Sequence, residues 1–223
     1  HPRPGKTDPG AGTADPRGGH PGGGGRFDGG MLYYMPQTWT SDDTDAIERL
    51  MIQEGTSLVY PTSSMGSHVS AVPNHQVHRI TPLNTRGVVA MAGSFGYELD
   101  VTKMNEEEKE EVKKQVEFYK NIRSTVQFGD LYRLKSSFDS NEAAWMNLSK
   151  DGKEVVVSYV KKYAEANVIP RRLKVKALDE NSLYEVIETG EVFGGDELMY
   201  IGLEIGELMG DYQAKNWTLR KVD

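Results

Sequence analysis

Apolar residues along this chain recur first at helical spacing and later at every second position, and the period changes near residue 129. Residues 31–35, MLYYM, form a short apolar run closed by Pro36, which has the length and ending of a buried strand. In 43–53, Ala46, Ile47, Leu50 and Met51 fall at i, i+1, i+4 and i+5. That spacing predicts a helix, with residues 41–43 as its cap and acidic groups at its positive end. Residues 57–60 predict a second short strand closed by Pro61, and 82–92 a helix with proline in its first turn and Gly93 beyond its end. Strands alternating with helices predict a parallel sheet or barrel.

The clearest helix is 105–123. Asn105 is a good N-cap, and Glu106, Glu107 and Glu108 follow in the first turn. Val112, Val116 and Tyr119 make the apolar stripe, and Glu110 can pair with Lys114 across one turn. Its charge run reads as the solvated face of a packed helix rather than a docking surface. Beyond Gly129 the period is two. Val155, Val157 and Tyr159 alternate with their neighbours, as do Leu173, Val175 and Ala177 against Lys174 and Lys176. Residues 184–188 and 191–193 flank Thr189-Gly190, a hairpin turn. Strands at this spacing predict an antiparallel β-sandwich. The fold class expected is therefore α/β to residue 128, then all-β over 129–223.

Composition narrows the picture. Residues 1–25 hold no Val, Ile, Leu, Met or aromatic side chain, so they have nothing to bury against the entropy of ordering. Residues 1–21 are expected to be a disordered or unrelated Gly/Pro-rich leader. The net charge of −7 argues against non-specific nucleic-acid binding, which needs a basic face. No apolar run reaches 18 residues, so no membrane span is expected. The absence of cysteine excludes thiol chemistry and fits a reducing, cytoplasmic setting.

Candidate chemistry concentrates in residues 22–45, where glycines, aromatic side chains and carboxylates follow one another. Glycine brings backbone N–H groups close to a ligand, aromatic rings give flat apolar walls, and Asp42, Asp43 and Asp45 can move protons. The combination suits a polar, uncharged ligand such as a sugar. Asp42 follows an extended segment and precedes a helix, where a β/α barrel carries its catalytic groups. The plainer alternative is that these aspartates only cap the helix.

Other patterns carry less. Gly5-Lys6-Thr7 lacks the earlier glycine of a phosphate-binding loop, and a dinucleotide pattern starting at Gly22 and Gly24 fails at Phe27. His68, His75 and His78 have no accompanying carboxylate or cysteine pattern, so a loop or sugar contact is the better reading than a metal. No cofactor is expected.

The segment GGGGRFDGGMLYYMPQTWTSDDTDAIERLMIQEGTSLVYP resembles the later part of the catalytic domain of glycoside hydrolase family 36 retaining α-galactosidases. The similarity continues through SHVSAVPNHQVHRITPLNTRGVVAM and FGYELD to DLYRL, Ala144-Trp145 and GGDELMYIGL. The resemblance implies that 22–128 is the last part of a (β/α)8 barrel and 129–223 a C-terminal β-sandwich. It implies retaining hydrolysis of terminal α-galactosides of the melibiose and raffinose type, in a parent enzyme that is a homo-oligomer. The first aspartate of Trp-Thr-Ser-Asp is the family's acid/base and matches Asp42. The early glycines match Gly22 and Gly23 as sugar contacts, and Trp39 matches a pocket wall.

Two departures stand out. His20-Pro21 occupies the place of the family's Cys-Ser, and the Lys-Trp-Asp motif that carries the family's nucleophile does not occur. The chain is thus expected to hold the acid/base without the nucleophile and to be inactive alone. Readings from other classes are a non-catalytic carbohydrate-binding protein and a fragment of a raffinose-synthase-type transglycosylase.

Overall fold

The computed structural model describes residues 29–167 and 169–222, so expectations about residues 1–28 lie outside it. The apolar run expected as a buried strand is instead a short helix, α1 (Gly29–Tyr34), with the Met35 N–H donating to the Met31 carbonyl at 2.8 Å. Tyr33 and Tyr34 are 83% and 79% exposed, so the run is not core. Among the described residues no strand pairs with this segment, and a helix satisfies its own backbone where a lone strand cannot.

Next come β1 (Thr38–Trp39), α2 (Ala46–Ser57), β2 (Met65–Ser70), α3 (Leu83–Ala90) and β3 (Ser94–Glu98). The three strands form a parallel sheet in the order β1-β2-β3. The strand expected at 57–60 is absent. Thr56 and Ser57 hydroxyls bond back to the Ile52 and Glu54 carbonyls, the helix runs on, and exposed Leu58 and Val59 follow in a turn. The second strand lies later, at Met65–Ser70. Pro82 is the N-cap of α3, one residue before the first turn in which it was expected.

Helix α4 (Glu106–Phe128) forms as its pattern predicts. Asn105 accepts the Glu108 N–H while Glu108 accepts the Asn105 N–H, a complete capping box. Its buried face is Gln115, Tyr119, Ile122, Thr125 and Val126, with Val112 and Val116 only half-buried. The surface ion pairs are Lys109–Glu106 at 2.7 Å and Lys113–Glu110 at 3.1 Å, not the expected Glu110–Lys114. Gly129 ends the helix where a Cβ would strike the Thr125 and Leu148 carbonyls.

The remainder is β4 (Asp130–Lys135), β5 (Glu142–Leu148), β6 (Glu154–Lys161), β7 (Arg172–Leu173), β8 (Leu183–Val186), β9 (Glu191–Gly194), α5 (Gly195–Tyr200), β10 (Leu203–Glu204) and β11 (Gln213–Val222). Six strands form an antiparallel sheet in the order β4-β5-β6-β11-β8-β9, and β7 pairs with β10 separately. The expected hairpin is present, with Val186 opposite Glu191 and Gly190 at φ +72°. The alternation expected at 173–177 stops early: Leu173 and Val175 are buried, but Ala177 turns out at φ +57°.

Strand β6 is packed on both faces. Val155, Val157 and Tyr159 join Leu173, Val175, Leu198 and Trp217 in one core. Val160 faces Ile47, Leu50, Val88 and Val89, and Val156 faces Met91, Tyr119, Ile122 and Val126. The sheet thus rests directly on α2, α3 and α4. Polar bonds fasten the seam, with Asn84 Nδ2 donating to the Ala214 carbonyl at 2.9 Å and Ser137 donating to Glu54.

Candidate active site

Side chains on one parallel strand alternate between its faces. On β2, Met65, Ser67 and Val69 are buried toward α2 and α3, and the Ser67 hydroxyl bonds Gln53 of α2. The opposite face carries His68. Register places Trp39 beside Gly66, His68 beside Gly96, and Ser70 beside Glu98. Glycine is what leaves room for the imidazole: a Cβ on Gly66 would lie 3.3 Å from His68 Cε1, and one on Gly96 would lie 3.4 Å from Cδ2. The rings of Trp39 and His68 meet edge to face, centroids 6.2 Å apart.

The loop after β1 holds the three candidate aspartates, and its hydrogen bonds sort them. The Asp43 N–H donates to the Ser41 hydroxyl at 3.0 Å, and the Asp45 N–H donates to Asp43 Oδ1 at 3.0 Å. Asp45, not residues 41–43, is the cap of α2, accepting the Ile47 and Glu48 N–H groups at 3.0 and 3.1 Å. Asp45 also pairs with Arg79. Asp42 differs from both. Its carbonyl accepts from Gln76 Nε2 at 3.4 Å, but among the described residues its buried Oδ1 has no hydrogen-bond partner, and neither does the indole Nε1 of Trp39.

Beneath the loop lies Arg49, almost fully buried. It donates to the Gly66 carbonyl at 2.8 Å, to Gln53 Oε1 at 3.4 Å and to the Ser41 carbonyl at 3.5 Å. Burial pulls its pKa down to about 10, against the opposing pull of Asp43 and Glu98. Burial, and then the Arg49 charge, lower the His68 imidazole, so the ring facing Trp39 is neutral at pH 7. The Glu98 carboxyl is raised, first by burial and also by Asp42, with His75 and Arg49 opposing. The carboxyl ends of the strands therefore gather an aspartate with one buried oxygen, a neutral histidine, an indole and a second carboxyl group. Such a set can bind hydroxyl groups and transfer a proton.

Of the residues expected at a site, Trp39 and Asp42 lie on one strand and the loop that follows it. Gly22 and Gly23 lie outside the described residues. His75 and His78 are exposed in the loop after β2, and His68 alone turns to the strand face. Glu98 and Arg49 carry no motif in the sequence that marks them for a site. A carboxylate closing a β-strand was the available signal for Glu98; nothing local marks an arginine on a helix as buried. Among the described residues no group of three His, Cys, Asp or Glu is placed to hold a metal ion.

The Melibiase family model matches residues 18–129, and the glycosyl hydrolase family 36 C-terminal domain model matches 142–219. The chain belongs to the melibiase family. It is 59% identical over 201 residues to α-galactosidase AgaA of Geobacillus stearothermophilus, covering 90% of the chain and 27% of the relative. It is 54% identical over 202 residues to α-galactosidase Mel36A of Lactobacillus acidophilus, covering 91% of the chain and 28% of the relative. A crystal structure of an AgaA variant in complex with raffinose superposes with a TM-score of 0.86 at 58% identity, over 90% of this chain and 28% of that one. An AgaA variant in complex with stachyose gives 0.86 at 59%, with the same coverage. The chain thus spans under a third of the length of the relatives it matches.

Proposed function

We propose that this chain supplies the acid/base half of a retaining α-galactosidase site acting on raffinose-type oligosaccharides. In this reading β1–β3 are the last strands of a (β/α)8 barrel, and 129–223 form a β-sandwich domain. The observation that carries the proposal is the buried Oδ1 of Asp42 just after a strand's carboxyl end, unpartnered among the described residues, while Asp43 and Asp45 each accept backbone N–H groups. The names of the relatives, and the raffinose and stachyose bound to AgaA, support the substrate class.

Retaining hydrolysis needs two carboxyl groups about 5–5.5 Å apart. Asp42, as the acid, protonates the glycosidic oxygen while a carboxylate from outside this sequence attacks the anomeric carbon. The leaving sugar departs with that proton. Asp42, now a carboxylate, takes a proton from water, whose oxygen displaces the enzyme carboxylate and releases galactose. Trp39 walls the pocket, and Gly22 and Gly23 contact the sugar through their backbone.

The purified 223-residue chain should therefore not turn over an aryl α-galactoside. Turnover that disappears with Asp42→Asn would overturn the split of the two carboxylates. Joined to the remainder of the barrel, Asp42→Ala should lose raffinose hydrolysis yet still release a phenol whose departure needs no protonation. Undiminished raffinose hydrolysis would end the acid/base assignment.

A further inference from the structure

We propose that Tyr212, from the antiparallel sheet region, is a positioning residue for the Asp42 loop, acting through Arg79 and Asp45. The relay is continuous. Asp45, with its side chain 2% exposed, uses Oδ2 both to cap α2 and to accept from Arg79 Nη1, while Arg79 Nη2 lies 3.5 Å from Glu48 Oε1. Arg79 Cζ sits 5.6 Å from the centre of the Tyr212 ring, and the Tyr212 hydroxyl also bonds the Arg79 side chain. A cation over an aromatic face is held by the ring's charge distribution and loses rotamer freedom there.

Tyr212 is itself fixed from several sides. Its N–H donates to the Lys162 carbonyl at 2.8 Å, and its carbonyl accepts from the Thr85 hydroxyl at 2.6 Å. The Tyr163 ring braces its own at 5.8 Å, and its backbone is held at φ +54°, where non-glycine residues rarely sit. At the other end, the Asp45 N–H donates to Asp43, the neighbour of Asp42. The Arg79 carbonyl accepts the Asn74 N–H at 2.9 Å, and Asn74 Nδ2 reaches Thr44 at 3.2 Å. The sheet region thereby sets where Asp42 stands without touching it. Only this functional consequence rests on Asp42 being the acid/base; the relay does not.

Amide hydrogen exchange in the full chain tests it. Tyr212→Leu should speed exchange at Asp45, Ile47 and Glu48 about tenfold, with β6 amides unchanged. Tyr212→Phe, which keeps the ring but loses the hydroxyl that also bonds Arg79, should restore most of the protection, and the Asp42 carboxyl-carbon resonance should move furthest in the leucine variant. Unchanged rates at Ile47 and Glu48 in Tyr212→Leu would overturn the relay, as would equal acceleration across β6. Arg79→Gln approaches from the other end: it should reproduce the pattern, and adding Tyr212→Leu should bring no more. Additive effects would overturn it. Asp42→Asn should leave these rates unaltered, so failure of the acid/base reading is separately visible.

Discussion

The Trp39 indole stands nearly perpendicular to the His68 imidazole, their planes 88° apart. Neither residue makes the contact alone, because Gly66 and Gly96 leave the flanks that the imidazole fills. A polar ring and an apolar wall thus share one strand face.

This pairing has a pH signature. His68 titrates below its usual 6.5, because burial and then Arg49 disfavour the charged ring. On acidification the unfolded chain takes up the proton first, so stability falls as pH drops below about 6.5. The urea midpoint should decline between about pH 7.5 and about 5.5 in the parent chain and less steeply in His68→Gln. Equal slopes would refute it. Glu98, raised chiefly by burial, works with the opposite sign, favouring the folded state at the acid end.

The neighbouring aspartates should separate cleanly on substitution. Asp45→Ala removes a cap bonded to two N–H groups and the buried partner of Arg79, at a cost of at least ~1–2 kcal/mol. Asp42→Ala should fall within about 0.5 kcal/mol of the parent. Comparable losses in urea melts would make Asp42 a structural residue.

Gly129→Ala should destabilise by ~1–3 kcal/mol, because its Cβ points into two backbone carbonyls, of Thr125 and Leu148, that cannot swing aside. An unchanged Tm would contradict the crowding.

Across the seam, Ser137 donates both its N–H and its hydroxyl to Glu54 Oε2 at 2.6 Å. Burial would raise the Glu54 carboxyl, but these bonds hold it below 4.5. Ser137→Ala should cost about 1–2 kcal/mol near neutral pH. The contribution is complete above 4.5 and lost as pH falls through the lower folded value, so the two proteins should converge in acid. A gap that stays constant down to about pH 3 would assign the loss to packing.

What the sequence made legible follows from where the physics is local. The α4 cap was readable because Asn105 and Glu108 satisfy each other three residues apart. Residues 65–70 were not, because Ser67 occupies a core position and is tolerated only through its bond to Gln53 of α2. Apolar character misled at Tyr33, Tyr34, Leu58 and Val59, which are exposed. Asp42 does follow a strand, yet spacing alone could not separate it from Asp43 and Asp45; only the resemblance did. That distinction lies in bonds to Ser41, Arg79 and the first turn of α2.

Strand β6 gives the molecule its unfolding behaviour. Val155, Val157 and Tyr159 are covered from one side, and Val156 and Val160 from the other by helices that precede the sheet in the chain. Melting either half strips the other of its lid, so heat should dissolve both in one cooperative step. A cut between Phe128 and Gly129 would liberate no free-standing module, only two sticky remnants.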